Sequence, residues 1–336
     1  MSRGLTAAVV DSVMASWQPS TREGYETAWR GLRDYFAVTD VAQVQDVTVV
    51  IANFLQSRFD AGLSAGYVGN MRSSISTVLE LATGKSLAED VWTSRMVRGQ
   101  RNIRPAAPAY EDFFELDVLF EHMMRLPSYT DISDKDLQAK MVVLLRVAIV
   151  GRSADAASII FSKSRLDVHG LHLTLGRLKP DKQYEEHPLP VIEWLEPQHG
   201  KICVCRCFEQ YCRRVAGKRT AMLSSVVPQK KKARKWPLDK DRLLLGRDQG
   251  SFPISPDRVA SISKDFMADA GIDVDRYQAH AIRGATATAM LDAGADPTDV
   301  MQRGRWKSAS TFKRFYDRSR RSAQMPAAMM ISMAKV

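Results

Sequence analysis

Apolar residues recur at helical spacing along most of this chain. Tyr25, Trp29, Leu32, Tyr35 and Phe36 fall on one face of a helix. Ser20-Thr21-Arg22-Glu23, just ahead, reads as a capping box with Ser20 as N-cap and Glu23 reaching back. Residues 47–59 continue the pattern. So do residues 64–82, with Val68, Met71, Ile75, Val78 and Leu79 on one face and Gly84 as the stop. Residues 88–100 add a short fourth helix. Four helices of this size predict a small bundle, and its aromatic stripe belongs to the core.

Residues 101–112, RNIRPAAPAYED, interrupt the periodicity with Pro105 and Pro108 among small residues. The predicted division is a first domain over 1–104, a linker over 105–111 and a second domain over 112–336. In the second domain, residues 116–124, 137–150, 207–215 and 255–270 read as helices. Residues 171–175 and 188–192 are strand-like and are joined by KPDKQYEE, which predicts a hairpin. Residues 220–236 lack periodicity and read as an exposed loop. The fold class is therefore mainly α with a small β-sheet.

Near the C-terminus, His280 and Arg283 stand three residues apart, the spacing of neighbours on one helix face. Ala285, Ala289 and Met290 can pack inward behind them, and Gly294 ends that helix. Asp296-Pro297 starts another, with Asp as N-cap and Pro at the first position. It runs to a turn at Gly304, followed by Arg305-Trp306-Lys307. Ser308-Ala309-Ser310-Thr311 caps a last segment, TFKRFY, which presents Tyr316.

Composition narrows the class of partner. The 336 residues are 45% hydrophobic and 26% charged, as in ordinary globular proteins. No run of 18 apolar residues suggests a membrane span, and the N-terminus is too polar for a secretory signal, so an intracellular protein is expected. The net charge of +10 favours a polyanion. Residues 201–250 hold 14 Lys or Arg against 4 Asp or Glu. A second basic run includes Arg303, Arg305, Lys307, Lys313 and Arg314. The DNA-binding candidates are Lys230, Lys231, Lys232, Arg234, Lys235, Arg305, Lys307 and Lys313. The segment KKKARK could equally be a nuclear import signal or an unremarkable surface loop. Cys203, Cys205, Cys207 and Cys212 follow His199, but their spacing matches no common zinc knuckle. Reduced thiols on a helix are expected, with no metal and no cofactor.

The sharper signal is an ordered set: Gly151-Arg152 after an apolar helix, a lysine in a hairpin, His280-x-x-Arg283, then Trp306 and Tyr316. Here the chain resembles the tyrosine recombinase family, which includes phage integrases. AHAIRGATATAMLDAG and GRWKSASTFKRFY look like recombinases encoded by DIRS-type retroelements and Crypton transposons. So do NIRPAAPAY and DLQAKMVVLLRVAIVGRSADAASI. The resemblance spans about residues 20–320; its C-terminal motif pair is specific and its N-terminal part compatible.

The resemblance implies a four-helix core-binding domain and a catalytic domain with a basic insertion around 218–250. Together they would form a C-shaped clamp on double-stranded DNA. Tyr316 would be the nucleophile, attached to DNA through a 3′-phosphotyrosine. Arg152 and Arg283 would hold the phosphate, His280 would orient it, and Trp306 would pack the site. Lys179 would be the general acid, with Lys182 as a rival, and Asp155 the acidic neighbour of Arg152. The resemblance also implies inverted-repeat sites, a homo-tetramer on DNA, and location in the nucleus of a eukaryotic host or otherwise the cytoplasm. The chemistry agrees. Two guanidiniums can fork onto a phosphodiester's free oxygens. A phenol of pKa about 10 becomes a nucleophile when a base accepts its proton, and leaves again when the strand is resealed. Trp306 lies ten residues before Tyr316, where nine is the commoner family spacing, and Lys307 occupies the ninth. Competing readings are a type IB topoisomerase, a silent DNA-binding descendant, and a zinc module on the cysteines.

Overall fold

The computed structural model describes residues 6–17, 19–38, 46–105, 112–176, 186–224, 240–246 and 252–318. The chain divides into two units, Met1–Pro108 and Ala109–Val336. In the first unit, α1 (Ala7–Ala15) precedes α2 (Pro19–Val38), α3 (Val47–Asp60), α4 (Ala65–Thr83) and α5 (Val91–Ile103). Leu32 of α2 joins Ile51, Phe54, Leu55 and Phe59 of α3, and Val68, Met71, Ile75 and Leu79 of α4, in one core. Trp29, Tyr35 and Phe36 pack along its edge. Side chains of Asp46, Ser64 and Asp90 accept N-terminal N–H groups of α3, α4 and α5.

Three readings of this unit change. Helix α2 begins at Pro19, so Ser20 lies inside it rather than at its N-cap; proline's fixed φ suits the first helical position. Helix α5 starts at Val91, later than residue 88, because Asp90 supplies the cap. Helix α1 was not expected; it buries none of its residues, so it lacked a readable core face.

The second unit is built around α7 (Asp134–Ala148), which follows α6 (Asp117–Arg125). Leu137, Met141, Val142, Val143, Leu144 and Leu145 of α7 are all buried, so this helix is covered on every side. Around it stand α9 (Val204–Ser224), α10 (Pro256–Asp269) and α11 (Ala281–Asp292). Between α7 and α9 come the short α8 (Ser153–Ala157) and four short strands. Strands β1 (Arg165–Asp167) and β2 (Gly170–His172) pair antiparallel. Strands β3 (Thr174–Leu175) and β4 (His187–Pro188) do the same. The second pair and the Leu171–Ile192 bridge match the expected hairpin. Its turn, with Lys179 and Lys182, lies outside the described residues. The first pair was not anticipated; its turn is set by Asp167, whose Oδ1 accepts the N–H groups of His169 and Gly170.

Helix α9 extends beyond residues 207–215 and takes in 220–224, which read as loop. Tertiary anchors explain this: buried Arg219 donates to the carbonyls of Arg242 and Leu243, and Met222 is buried. Residues 225–239, with Lys230, Lys231, Lys232, Arg234 and Lys235, lie outside the described residues. Cys203, Cys205 and Cys207 are buried. Burial pushes the Cys205 and Cys207 thiols up to about 12. Among the described residues, no three His, Cys, Asp or Glu side chains are placed to hold a metal.

Candidate active site

The site begins where α7 ends. Val150 adopts φ +46°, a conformation a β-branched residue rarely takes. Strain of this kind costs on the order of 1–3 kcal/mol and persists where surroundings enforce it. Here two contacts enforce it. Gly151 donates its N–H to the carbonyl of Arg146 at 2.8 Å. The Val150 carbonyl accepts from Arg283 Nη1 at 2.8 Å. The turn then presents Arg152, which is exposed, as N-cap of α8. Asp155, buried in the first turn of α8, accepts the Arg152 backbone N–H at 2.9 Å.

His280 is the N-cap of α11 and Arg283 is one turn inside it. Arg283 is wholly buried. Its Nη2 donates to the Gly304 carbonyl, and its guanidinium lies 3.9 Å from the Trp306 ring centre. Helix α12 (Pro297–Gly304) ends in a left-handed turn at Arg305, φ +57°. That turn sends the Arg305 side chain to Asp155, with Nη2 2.8 Å from Oδ2. Arg283 approaches the same carboxylate at 3.8 Å. Asp155 therefore pairs with Arg283 and Arg305, not with the Arg152 guanidinium. The Trp306 ring packs directly over Gly304, where any Cβ would collide with it. Helix α13 (Ala309–Phe315) delivers Tyr316 at its C-terminal end.

Tyr316 Oη lies 2.8 Å from His280 Nε2. Its ring centre is 4.8 Å from that of Trp306. Thr288 Oγ1 on α11 donates to the Tyr316 carbonyl at 3.2 Å. Val150, Ala287, Leu291, Val300, Trp306 and Phe312 form a small core beneath these residues.

The charges are unbalanced. Desolvation, then the charges of Arg283, Arg146 and Arg152, push the His280 pKa down to about 4, against Asp155. The ring is exposed at the mouth of the site; solvent there moderates the desolvation but leaves the repulsion by three guanidiniums. His280 is neutral at neutral pH. Burial and then Arg152 also work against the charge on Arg283. At this site five buried donor atoms have no acceptor among the described residues: Arg146 Nε and Nη1, Arg283 Nε, Arg305 Nε and Trp306 Nε1. Buried donors are normally satisfied. Such a set, with Arg152 exposed beside it, suits an anion.

Of the residues singled out in the sequence, Asp155, His280, Arg283, Trp306 and Tyr316 come together, and the charge of Arg152 acts on two of them. Trp306, not Lys307, meets Arg283 and Tyr316, so ten residues of separation reach the site; Lys307 is exposed. Lys313 is exposed too. Arg305, expected as a DNA contact, is drawn in against Asp155. Sequence reasoning missed Arg146 and Thr288. Arg146 was the legible one, a lone charge within the apolar run MVVLLRVAIV. Thr288 carries no such signal.

No family model matches the chain, and no curated protein sequence matches it. Solved structures do. The XerH site-specific recombinase bound to palindromic difH substrate, a post-cleavage complex, is 14% identical with TM-score 0.55, over 92% of this chain and 79% of that one. A lambda integrase dimer bound to a COC′ core site is 14% identical with TM-score 0.53, over 95% and 92%. The Tn1549 transposon integrase in complex with transposon right end DNA is 12% identical with TM-score 0.54, over 93% and 94%. The chain has the tyrosine recombinase fold. At these identities the likeness is one of fold alone.

Proposed function

We propose that this chain is a site-specific DNA recombinase that cleaves and rejoins strands through a 3′-phosphotyrosine at Tyr316. One observation carries the reading: a tyrosine–histidine pair at 2.8 Å set beside buried arginines, each with at least one donor that has no acceptor among the described residues. The neutral imidazole accepts the phenol proton through Nε2 as Tyr316 attacks the phosphorus. Arg152 and Arg283 stabilise the charge that grows on the phosphate oxygens, the buried Arg283 from a fixed, desolvated position. Arg283 is held in place by two carbonyls and the Trp306 face. Lys179, or its rival Lys182, protonates the departing 5′ oxygen. Resealing reverses the steps, with Tyr316 leaving and His280 returning its proton. No cofactor takes part.

The DNA is duplex with inverted-repeat sites, and the working form is a tetramer. A solved relative supports the second point: a lambda integrase tetramer bound to a Holliday junction, 14% identical with TM-score 0.52. The sequence motifs support a mobile-element recombinase akin to those of DIRS-type retroelements and Crypton transposons, acting in integration or excision, in the nucleus if the host is eukaryotic.

Helix α5 adds a basic surface that the sequence reading did not assign. Arg95 and Arg98 are exposed on it, with Trp92 81% exposed beside them, and the helix carries no acid. Replacing both arginines with alanine is expected to reduce the slope of log affinity against log salt by about one per lost phosphate contact. An unchanged slope would remove α5 from the interface.

The test of the reading uses two labelled duplexes carrying the element's terminal repeats. A recombinase exchanges strands between them. Relaxation of supercoiled DNA without exchange would identify a type IB topoisomerase instead. Binding with neither activity would identify a silent descendant.

A further inference from the structure

Arg146 lies on the last turn of α7 and is wholly buried. Its Nη2 donates at 2.8 Å to the carbonyl of Ala279, immediately before His280. Its own carbonyl accepts at 2.8 Å from Gly151, immediately before Arg152. Nε and Nη1 have no acceptor among the described residues. No described carboxylate forms an ion pair with it. Asp155, the acid whose charge acts on it, is engaged by Arg305 at 2.8 Å and Arg283 at 3.8 Å. A buried cation without a counter-ion opposes folding, and methionine would fill similar volume without that cost. As a core filler, this guanidinium is a poor choice.

We infer that Arg146 is a positioning residue for strand cleavage: its side chain ties the end of α7, whose backbone holds the turn presenting Arg152, to the segment presenting His280, and sets a buried positive charge behind the phosphate-binding face. The inference rests on the recombinase reading. The tether fixes His280 Nε2 against Tyr316 Oη. The charge keeps the imidazole in its accepting form. The groups facing His280 are Arg146 from α7, Arg152 and Asp155 at the start of α8, Arg283 from α11 and Tyr316 after α13. Burial and the three arginines lower the His280 pKa, while Asp155 raises it. Removing one positive charge therefore raises it. A base works only when neutral, so the acid limb of the cleavage rate then moves to higher pH.

Three full-chain variants separate tether from charge. Arg146→Lys keeps the charge and a donor, Arg146→Gln keeps a donor alone, and Arg146→Met keeps neither. Cleavage of a nicked duplex at saturating DNA is followed against pH. The His280 ring is titrated by NMR in the DNA-free protein, its resonance assigned by its loss in His280→Asn. Gln and Met are expected to slow cleavage about tenfold to hundredfold, as misplaced catalytic groups do. Both should move the acid limb and the His280 midpoint to higher pH. Lys should lose less and keep the wild-type midpoint. Equal losses in all three with an unmoved midpoint would overturn the inference, since plain core damage predicts that. If the Met variant fails to fold, the Lys–Gln comparison decides. A wild-type protein that forms no adduct would instead overturn the recombinase reading, which the DNA-free titration does not depend on.

Discussion

Arg283→Ala is expected to abolish covalent cleavage and to destabilise the second unit by roughly 3–5 kcal/mol, the range for emptying a large buried site and stranding its partners. The side chain is 0% exposed, stacks on Trp306 at 3.9 Å and satisfies the carbonyls of Val150 and Gly304. Without it the strained Val150 turn loses its anchor, and Arg152 and Trp306 lose their common support. Stability is read from chemical denaturation. The loss of activity needs a folded control, which Arg283→Lys provides. Lysine keeps the charge but cannot stack as a plane or reach both carbonyls. It is expected to fold and yet cleave about 10²–10³-fold more slowly, the scale for one lost charge-stabilising donor. A lysine variant cleaving within about tenfold of wild type would argue that Arg283 serves the fold alone.

Arg152→Ala is expected to show the opposite balance. Its guanidinium is exposed and enters no ion pair with a described acid. Stability should stay within about 0.5 kcal/mol of wild type, as for an ordinary surface substitution. Cleavage at saturating DNA should fall by about 10²–10³-fold if, as proposed, this arginine meets the phosphate. Single-turnover rates at several DNA concentrations separate the chemical step from binding. A loss confined to affinity, with the saturated rate intact, would make Arg152 a docking contact. The two arginines carry the same group, and the expected contrast follows from where each sits: Arg283 is buried and holds two carbonyls, whereas Arg152 is exposed.

The bundle and the second unit's long helices were legible because their apolar faces repeat at helical spacing and breakers such as Gly84 and Gly294 mark some of their ends. What failed was decided by distant partners. The last turn of α9 is helical because Arg219 and Met222 are anchored elsewhere, which no local window displays. Helix α1 has no buried face to reveal it. At the site, the order Arg152, His280-x-x-Arg283, Trp306, Tyr316 was readable, but the pairing was not. The resemblance made Asp155 the acidic neighbour of Arg152, and its carboxylate does accept the Arg152 N–H, but its ion pairs run to Arg283 and Arg305, the latter through a left-handed turn that arginine does not advertise. The ten-residue step from Trp306 also resolves only in three dimensions, where the indole lies over Gly304 and against both Arg283 and Tyr316.

The central claim is that Tyr316 attacks DNA. The direct measurement is a denaturing gel of the full chain incubated with a nicked suicide duplex carrying the terminal repeats, followed by mass spectrometry of the peptide that retains nucleotide. The account predicts a covalent adduct at the 3′ side of the break, attached to Tyr316. It should be absent in Tyr316→Phe, while DNA binding persists, since only the phenolic oxygen has been removed. An adduct that survives Tyr316→Phe, or one mapped to another residue, would contradict it.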